Sequence, residues 1–98
     1  MNRRIFVRDE AQADIREAAK WYEDREPGLG ISFIRELRLS LQHITNNPLM
    51  FPVIEHEVRR AVLHKFPYST YFIEKPDAVV IIAVLHQQRR PRPWKSRR

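Results

Sequence analysis

The side chains of this 98-residue sequence equipped for chemistry are four histidines and an arginine-rich C-terminal part interspersed with tyrosine and tryptophan. His43, His56, His64 and His86 include no i, i+4 pair of the H-E-x-x-H kind, so the spacing defines no zinc site and no metal or other cofactor is expected. Cysteine is absent, which excludes thiol catalysis, thiolate metal sites and a disulfide scaffold. Gly28 and Gly30 are the only glycines and fall in one turn, so there is no phosphate-cradling loop. Ser69, His86 and Asp77 make a triad on paper, but nothing in their spacing selects it. What remains is Arg59, Arg60, His64, Lys65, Tyr68, His86, Arg89, Arg90, Arg92 and Trp94. Such a set can cleave RNA without metal: a base activates the 2′-hydroxyl, arginine holds the phosphate, and histidine or tyrosine protonates the leaving oxygen. It can equally hold a phosphate backbone without reacting, its aromatic members stacking on exposed bases.

Each residue also has a purely architectural reading. Tyr68, between Pro67 and Tyr71-Phe72, suits core or edge packing. His86 ends an apolar run, where an imidazole bonded to backbone is as natural as a functional one. Trp94 suits pinning the tail to the body. Arg59 and Arg60, being consecutive, point to opposite sides of an extended chain, so at most one faces any given site.

The charge is unevenly distributed. Residues 1–58 carry eight Lys/Arg against ten Asp/Glu, whereas residues 59–98 carry ten against two. Arginine outnumbers lysine fourteen to four, and guanidinium is the group suited to bidentate phosphate or carboxylate contacts. The C-terminal part is therefore expected to face an anionic partner, either nucleic acid or an acidic protein segment. With 43% hydrophobic and 31% charged residues the composition is that of a soluble globular chain, expected as one domain over residues 1–98 with a radius of gyration of roughly 13 Å. The longest apolar run, Ala78 to Leu85, is too short to span a bilayer. Arg8, Asp9 and Glu10 interrupt any signal-peptide core, so the chain is assigned to the cytoplasm.

The elements that must position these groups follow from periodicity. Ile5-Phe6-Val7 reads as a first strand. Asp9 is the expected cap of a helix, with Gln12 completing a capping-box variant. Ala11, Ile15, Ala18 and Tyr22 form its apolar stripe, with Asp14, Glu17 and Glu23 on the other sides, and Pro27-Gly28 ends it after Arg25. A second helix runs from Leu29, burying Phe33, Ile34, Leu37, Leu41 and Ile44, with Arg35, Glu36, Arg38 and Gln42 outside. Asn46-Asn47-Pro48 terminates it. The short connection predicts an antiparallel helical hairpin. After a loop at Phe51-Pro52 come three strand candidates, 58–65, 68–74 and 79–85, joined by hairpin-length turns. The last is apolar on both faces and is therefore central. Residues 87–98 read as an extended basic arm. The expected fold is α+β: an N-terminal strand and a two-helix hairpin packed on a small, mainly antiparallel sheet, in the order β-α-α-β-β-β.

That order, together with Ala13-Asp14-Ile15-Arg16-Glu17-Ala18 continuing to Trp21-Tyr22, Pro27-Gly28-Leu29-Gly30 and Phe33, resembles the RelE/ParE superfamily of bacterial toxins. Asn47-Pro48, Phe51-Pro52, Val58-Arg59-Arg60, Phe66-Pro67-Tyr68 and Val84-Leu85-His86 leading to Arg89, Arg90, Pro91 and Trp94 extend the match along nearly the whole chain. The resemblance implies a toxin of a type II toxin–antitoxin pair, acting in growth arrest or plasmid stabilisation, in a possible hetero-oligomer with its antitoxin. RelE-like members cleave messenger RNA on the ribosome, and for them His86 and Arg89 would be the catalytic positions. That branch carries an arginine directly after the aromatic corresponding to Tyr68, where this sequence has Ser69. The Trp-Tyr…Gly-Leu-Gly hairpin and the Phe-Pro-Tyr motif are more similar to ParE-like toxins, which poison DNA gyrase. The favoured expectation is a ParE-like gyrase inhibitor without cofactor. Its antitoxin would be read by Arg59, Arg60, Trp21 and Phe33, its target or nucleic acid by the basic and aromatic set. An mRNA endoribonuclease is the alternative, and a non-toxic nucleic-acid-binding module the third.

Overall fold

The computed structural model describes residues 3–88 and 93–97. In chain order these form β1 (Arg4–Val7), α1 (Asp9–Arg25), α2 (Leu29–Asn46), β2 (Val53–Glu55), β3 (Val58–Val62), β4 (Tyr68–Lys75) and β5 (Ala78–His86), with 3-10 turns at Pro48–Met50 and Pro93–Arg97. The sheet order is β1-β5-β4-β3-β2. β1 runs parallel to β5 and every other neighbouring pair is antiparallel, so the α+β expectation holds. The described residues have a radius of gyration of 12.9 Å. None of their helices is long and apolar enough to cross a membrane.

β5 is an interior strand, between β1 and β4, although the middle place in the sheet falls to β4. Its Val79, Ile81, Ile82, Ala83 and Val84 are all buried, which requires cover on both faces of the pleat. The helices supply one cover. Ala11, Ala18 and Tyr22 of α1, with Phe33, Leu37 and Ile44 of α2, pack on Ala61, Tyr68, Phe72, Val79, Ile81 and Val84. The second cover is smaller and follows the architectural reading of Trp94, which pins the tail to the body. Val58, Tyr71, Ile73, Ile82 and Ala83 are closed over by Trp94, which stacks on Tyr71 with ring centroids 5.3 Å apart and planes 15° from parallel. Over its described part, residues 93–97, the C-terminal segment is thus a packed 3-10 turn and not an extended arm.

A bulge links the two faces. Phe72 pairs with Ile81 but Tyr71 with Ala83, leaving Ile82 as the extra residue, and Ile82 and Ala83 both join the second cluster. β1 pairs with β5 only as far as Ile81, so the edge of β5 beyond it needs other hydrogen-bond partners. The Val84 N–H donates to the Asp14 carboxylate at 3.0 Å, and the Arg97 guanidinium donates to the Ile82 carbonyl at 3.2 Å and to Asp14 at 2.6 Å. Asp14 therefore does not belong to the solvent side of α1, as its place off the apolar stripe suggested. It fastens the helix to the bulge and both to the chain end.

Three local expectations are corrected. Arg8, not Asp9, is the cap residue of α1; Asp9 and Glu10 lie in the first turn, and Gln12 donates to the Val7 carbonyl at 3.0 Å instead of completing a box. β2 replaces part of the loop after Pro52 and pairs with β3 through a turn at His56-Glu57, His56 adopting φ 53°. The turn contains no glycine or Asn-Gly signal, so nothing local announced it. The first of the three later strands stops at Val62, three residues early, because Leu63 N–H turns to bond the Tyr68 carbonyl and residues 64–67 form the bend.

Candidate functional site

Phe66-Pro67-Tyr68 is a core motif. Tyr22, Phe33, Phe66 and Tyr68 form one aromatic cluster between hairpin and sheet, with ring centroids 4.9–6.0 Å apart. Tyr68 is 3% exposed and Phe33 fully buried. Tyr68 is thus not placed to stack on a base, and Phe33 is not placed to touch an antitoxin; both hold the hairpin to the sheet. Ser69, at the position where RelE-like chains carry arginine, is 1% exposed and pairs with Val62 and Leu85. His86 lies against the Tyr68 ring at 5.3 Å, and its Nδ1 accepts the Gln88 N–H at 3.1 Å. Trp94 is spent on Tyr71. Arg89, Arg90 and Arg92 lie outside the described residues.

The remaining cations are partly committed. Arg59 donates to the Phe51 carbonyl at 2.6 Å, tying β3 to the turn after α2. Arg60 points to the opposite face, as alternation requires, and is exposed. Lys65 approaches Glu36 at 3.6 Å, Lys75 approaches Glu57 at 4.0 Å, and Lys95 approaches Glu55 at 3.3 Å. His64 is exposed and shares a recess of about 250 Å³ with His43, Glu36 and Phe51. No group of three His, Cys, Asp or Glu among the described residues is placed to hold a metal ion. Acid, base and phosphate clamp do not meet in one cleft within the described residues. The sheet half presents Arg60, His64 and Lys65 outward.

The hairpin holds what the sequence reading underused. Trp21 is 44% exposed, with the Arg25 guanidinium 3.6 Å above its ring centroid. Glu23 accepts hydrogen bonds from the Gly28 and Gly30 N–H groups, both at 2.9 Å, and so caps α2 from α1. Gly28 caps with φ 92°, and a Cβ on Gly30 would lie 2.6 Å from the Ala19 carbonyl oxygen, so the Gly-Leu-Gly turn is dictated by backbone geometry and close helix contact. Beside that contact runs a groove of about 780 Å³ lined by both helices. The signal for it was present: Ile31 and Leu39 are apolar residues off the core stripe of α2.

A strand, a close-packed helical hairpin and a mainly antiparallel sheet with a parallel first strand, its aromatic motif turned inward, define an α+β toxin fold of the RelE/ParE kind. The model of the family described as the ParE toxin of the type II toxin–antitoxin system, parDE, matches residues 5–91, and the chain belongs to that family. Among solved structures it is similar to a chain titled as the chromosomal ParDE TA system from P. aeruginosa, with TM-score 0.77 and 16% identity over 86% of this chain and 95% of that one; at that identity the likeness is one of fold. No curated protein matches the sequence.

Proposed function

We propose that this protein is the toxin half of a toxin–antitoxin pair, that it inhibits DNA gyrase by binding and without a cofactor, and that a cognate antitoxin holds it inactive in the cytoplasm. Membership of the ParE family supports the class of target. The observation that carries the mechanism is the Tyr68-Ser69 pair: where a nuclease needs an aromatic and an arginine at the surface, this chain has a core tyrosine and a buried serine. Loss of one hydrogen-bond donor to a developing anion costs ~3 kcal/mol in an acyl-transfer oxyanion hole. Arg60, exposed on the open face, is available to contact the target or an acidic antitoxin segment.

The test pairs two assays on the purified protein. Gyrase supercoiling of relaxed plasmid is expected to be lost in its presence, while primer extension on translated mRNA is expected to show no new ends. Codon-positioned cuts with gyrase unaffected would overturn the reading in favour of the endoribonuclease. Growth arrest on expression alone, relieved by the neighbouring gene product, is the companion expectation.

A further inference from the structure

Residues 44–54 contain no Asp, Glu, His, Lys or Arg, the longest such stretch in a chain of which 31% is charged. The comparable stretches 66–73 and 78–85 are mostly buried. This one leaves α2 and turns to the surface. Leu49 is 61% and Met50 70% exposed, and Met50 is the most exposed large apolar side chain among the described residues. Val53 follows, about half exposed. Neither Leu49 nor Met50 joins a core cluster, yet the turn that carries them is braced on several sides. Pro48 is buried, and the Met50 and Phe51 N–H groups donate to the Asn47 and Pro48 carbonyls at 3.1 and 3.4 Å. The Phe51 ring packs edge-on against Phe72, with centroids 5.8 Å apart, and against His43 at 5.9 Å. Arg59 donates to the Phe51 carbonyl at 2.6 Å, and the Arg60 N–H to the Pro52 carbonyl at 3.2 Å. Two large apolar side chains thus stand in water on a turn fastened at both ends.

We propose that Leu49 and Met50 are the apolar anchor by which this chain seats in a hydrophobic cleft on its protein target. The inference rests on the gyrase reading above and deepens it: the turn meets the enzyme's protein surface and not its DNA. Charge selects the occupant. A nucleic acid and an acidic antitoxin segment are both drawn to cations, and the stretch has none. Size argues against a second copy. Three exposed side chains bury far less than the ~800 Å² per partner of a stable two-fold interface. An anchor within a larger contact has no such requirement, because a few well-packed residues carry most of the binding energy. A turn already fixed before binding loses little freedom on docking, and the unbranched thioether of Met50 adapts to the pocket that it enters. Arg60, exposed and bonded through its N–H to Pro52, adds a cation beside the turn for the polar rim of the contact.

The experiment titrates gyrase supercoiling with the full-length chain and with Leu49→Ser/Met50→Ser. Both side chains are exposed, so the double variant is expected to unfold at the wild-type temperature by circular dichroism and to bind the purified antitoxin with wild-type affinity. Its concentration for half-inhibition of gyrase is expected to rise about tenfold or more, and Met50→Leu to restore inhibition when Leu49 is kept. Because the chain has no cysteine, Met50→Cys supplies a unique thiol. Its alkylation, read on this chain by mass spectrometry, is expected to be blocked by saturating gyrase without DNA. Unchanged inhibition by the double variant, or alkylation at the free rate in the complex, would overturn the anchor while leaving the gyrase reading standing. An equal loss of antitoxin affinity would overturn it in favour of the antitoxin. A wild-type dimer that the double variant dissociates in sedimentation would overturn it in favour of a second copy. Absence of inhibition by the wild-type chain would overturn both readings.

Discussion

Asp14 shows how one carboxylate replaces a missing strand. It accepts from the Val84 N–H and from Arg97, and its side chain is 11% exposed against 18% for Arg97. Removing it leaves a backbone donor unpaired and a largely sequestered guanidinium without its carboxylate, so Asp14→Ala is expected to cost about 2–3 kcal/mol in urea denaturation. Arg97→Ala removes the charge together with its own need for a partner and leaves Asp14 bonded to Val84, so about 1 kcal/mol is expected. The two effects should not add, because the variants share one interaction. Thr70 is the opposite case: its hydroxyl is buried with no hydrogen-bond partner among the described residues. Thr70→Val keeps the shape and removes the unpaired oxygen, and is expected to raise stability by about 1 kcal/mol. A loss of stability in the same denaturation assay would mean that the hydroxyl has a partner in solution.

At the scale of the element, the hairpin is set by two residues of different kinds. Gly30 lets α1 and α2 approach, and Gly30→Ala places a methyl group against the Ala19 carbonyl, backbone that cannot rotate away. Overpacking of this sort costs about 1–3 kcal/mol, and the helices can relieve it only by separating, so a lower Tm is expected. Glu23→Ala removes the cap of α2 without touching the contact and is expected to cost about 1 kcal/mol in thermal unfolding. An unchanged Tm in Gly30→Ala would show that the helices make room for the methyl group without cost.

Over the whole molecule, the sheet is stable only with both faces covered, and the second cover arrives from the far end of the chain. Trp94 is 4% exposed over Tyr71. Its removal opens the open-face cluster to water, and Trp94→Ala is expected to cost about 3 kcal/mol. In a Trp21→Phe background the remaining indole is expected to emit at short wavelength and to shift red on unfolding. Emission of an exposed indole in the native state would detach the turn from the sheet and return Trp94 to the target-binding set. The charge asymmetry acts at this scale too. Binding to an acidic partner is expected to weaken with salt, whereas the Asp14–Arg97 pair, being partly buried, should be screened less.

Element order apart from β2, the helical hairpin, an interior β5 and the family were legible in the chain because each rests on local signals: periodicity of Ala11 to Tyr22 and of Phe33 to Ile44, punctuation at Pro27-Gly28 and Asn47-Pro48, and an apolar run needing two covers. The fate of the chemistry-bearing residues was not. Whether Tyr68 stacks on a base or on Phe33, whether Trp94 meets a partner or Tyr71, and whether Asp14 faces water or a bulge depend on residues 23 to 83 positions away, and no local pattern encodes such distances. A tyrosine or an arginine carries both an apolar stem and a polar end, so its type permits either role. Only the tertiary structure, by deciding which backbone groups lack partners and which apolar faces lack cover, assigned Asp14 and Trp94 to architecture and left the outer face of α2 unused.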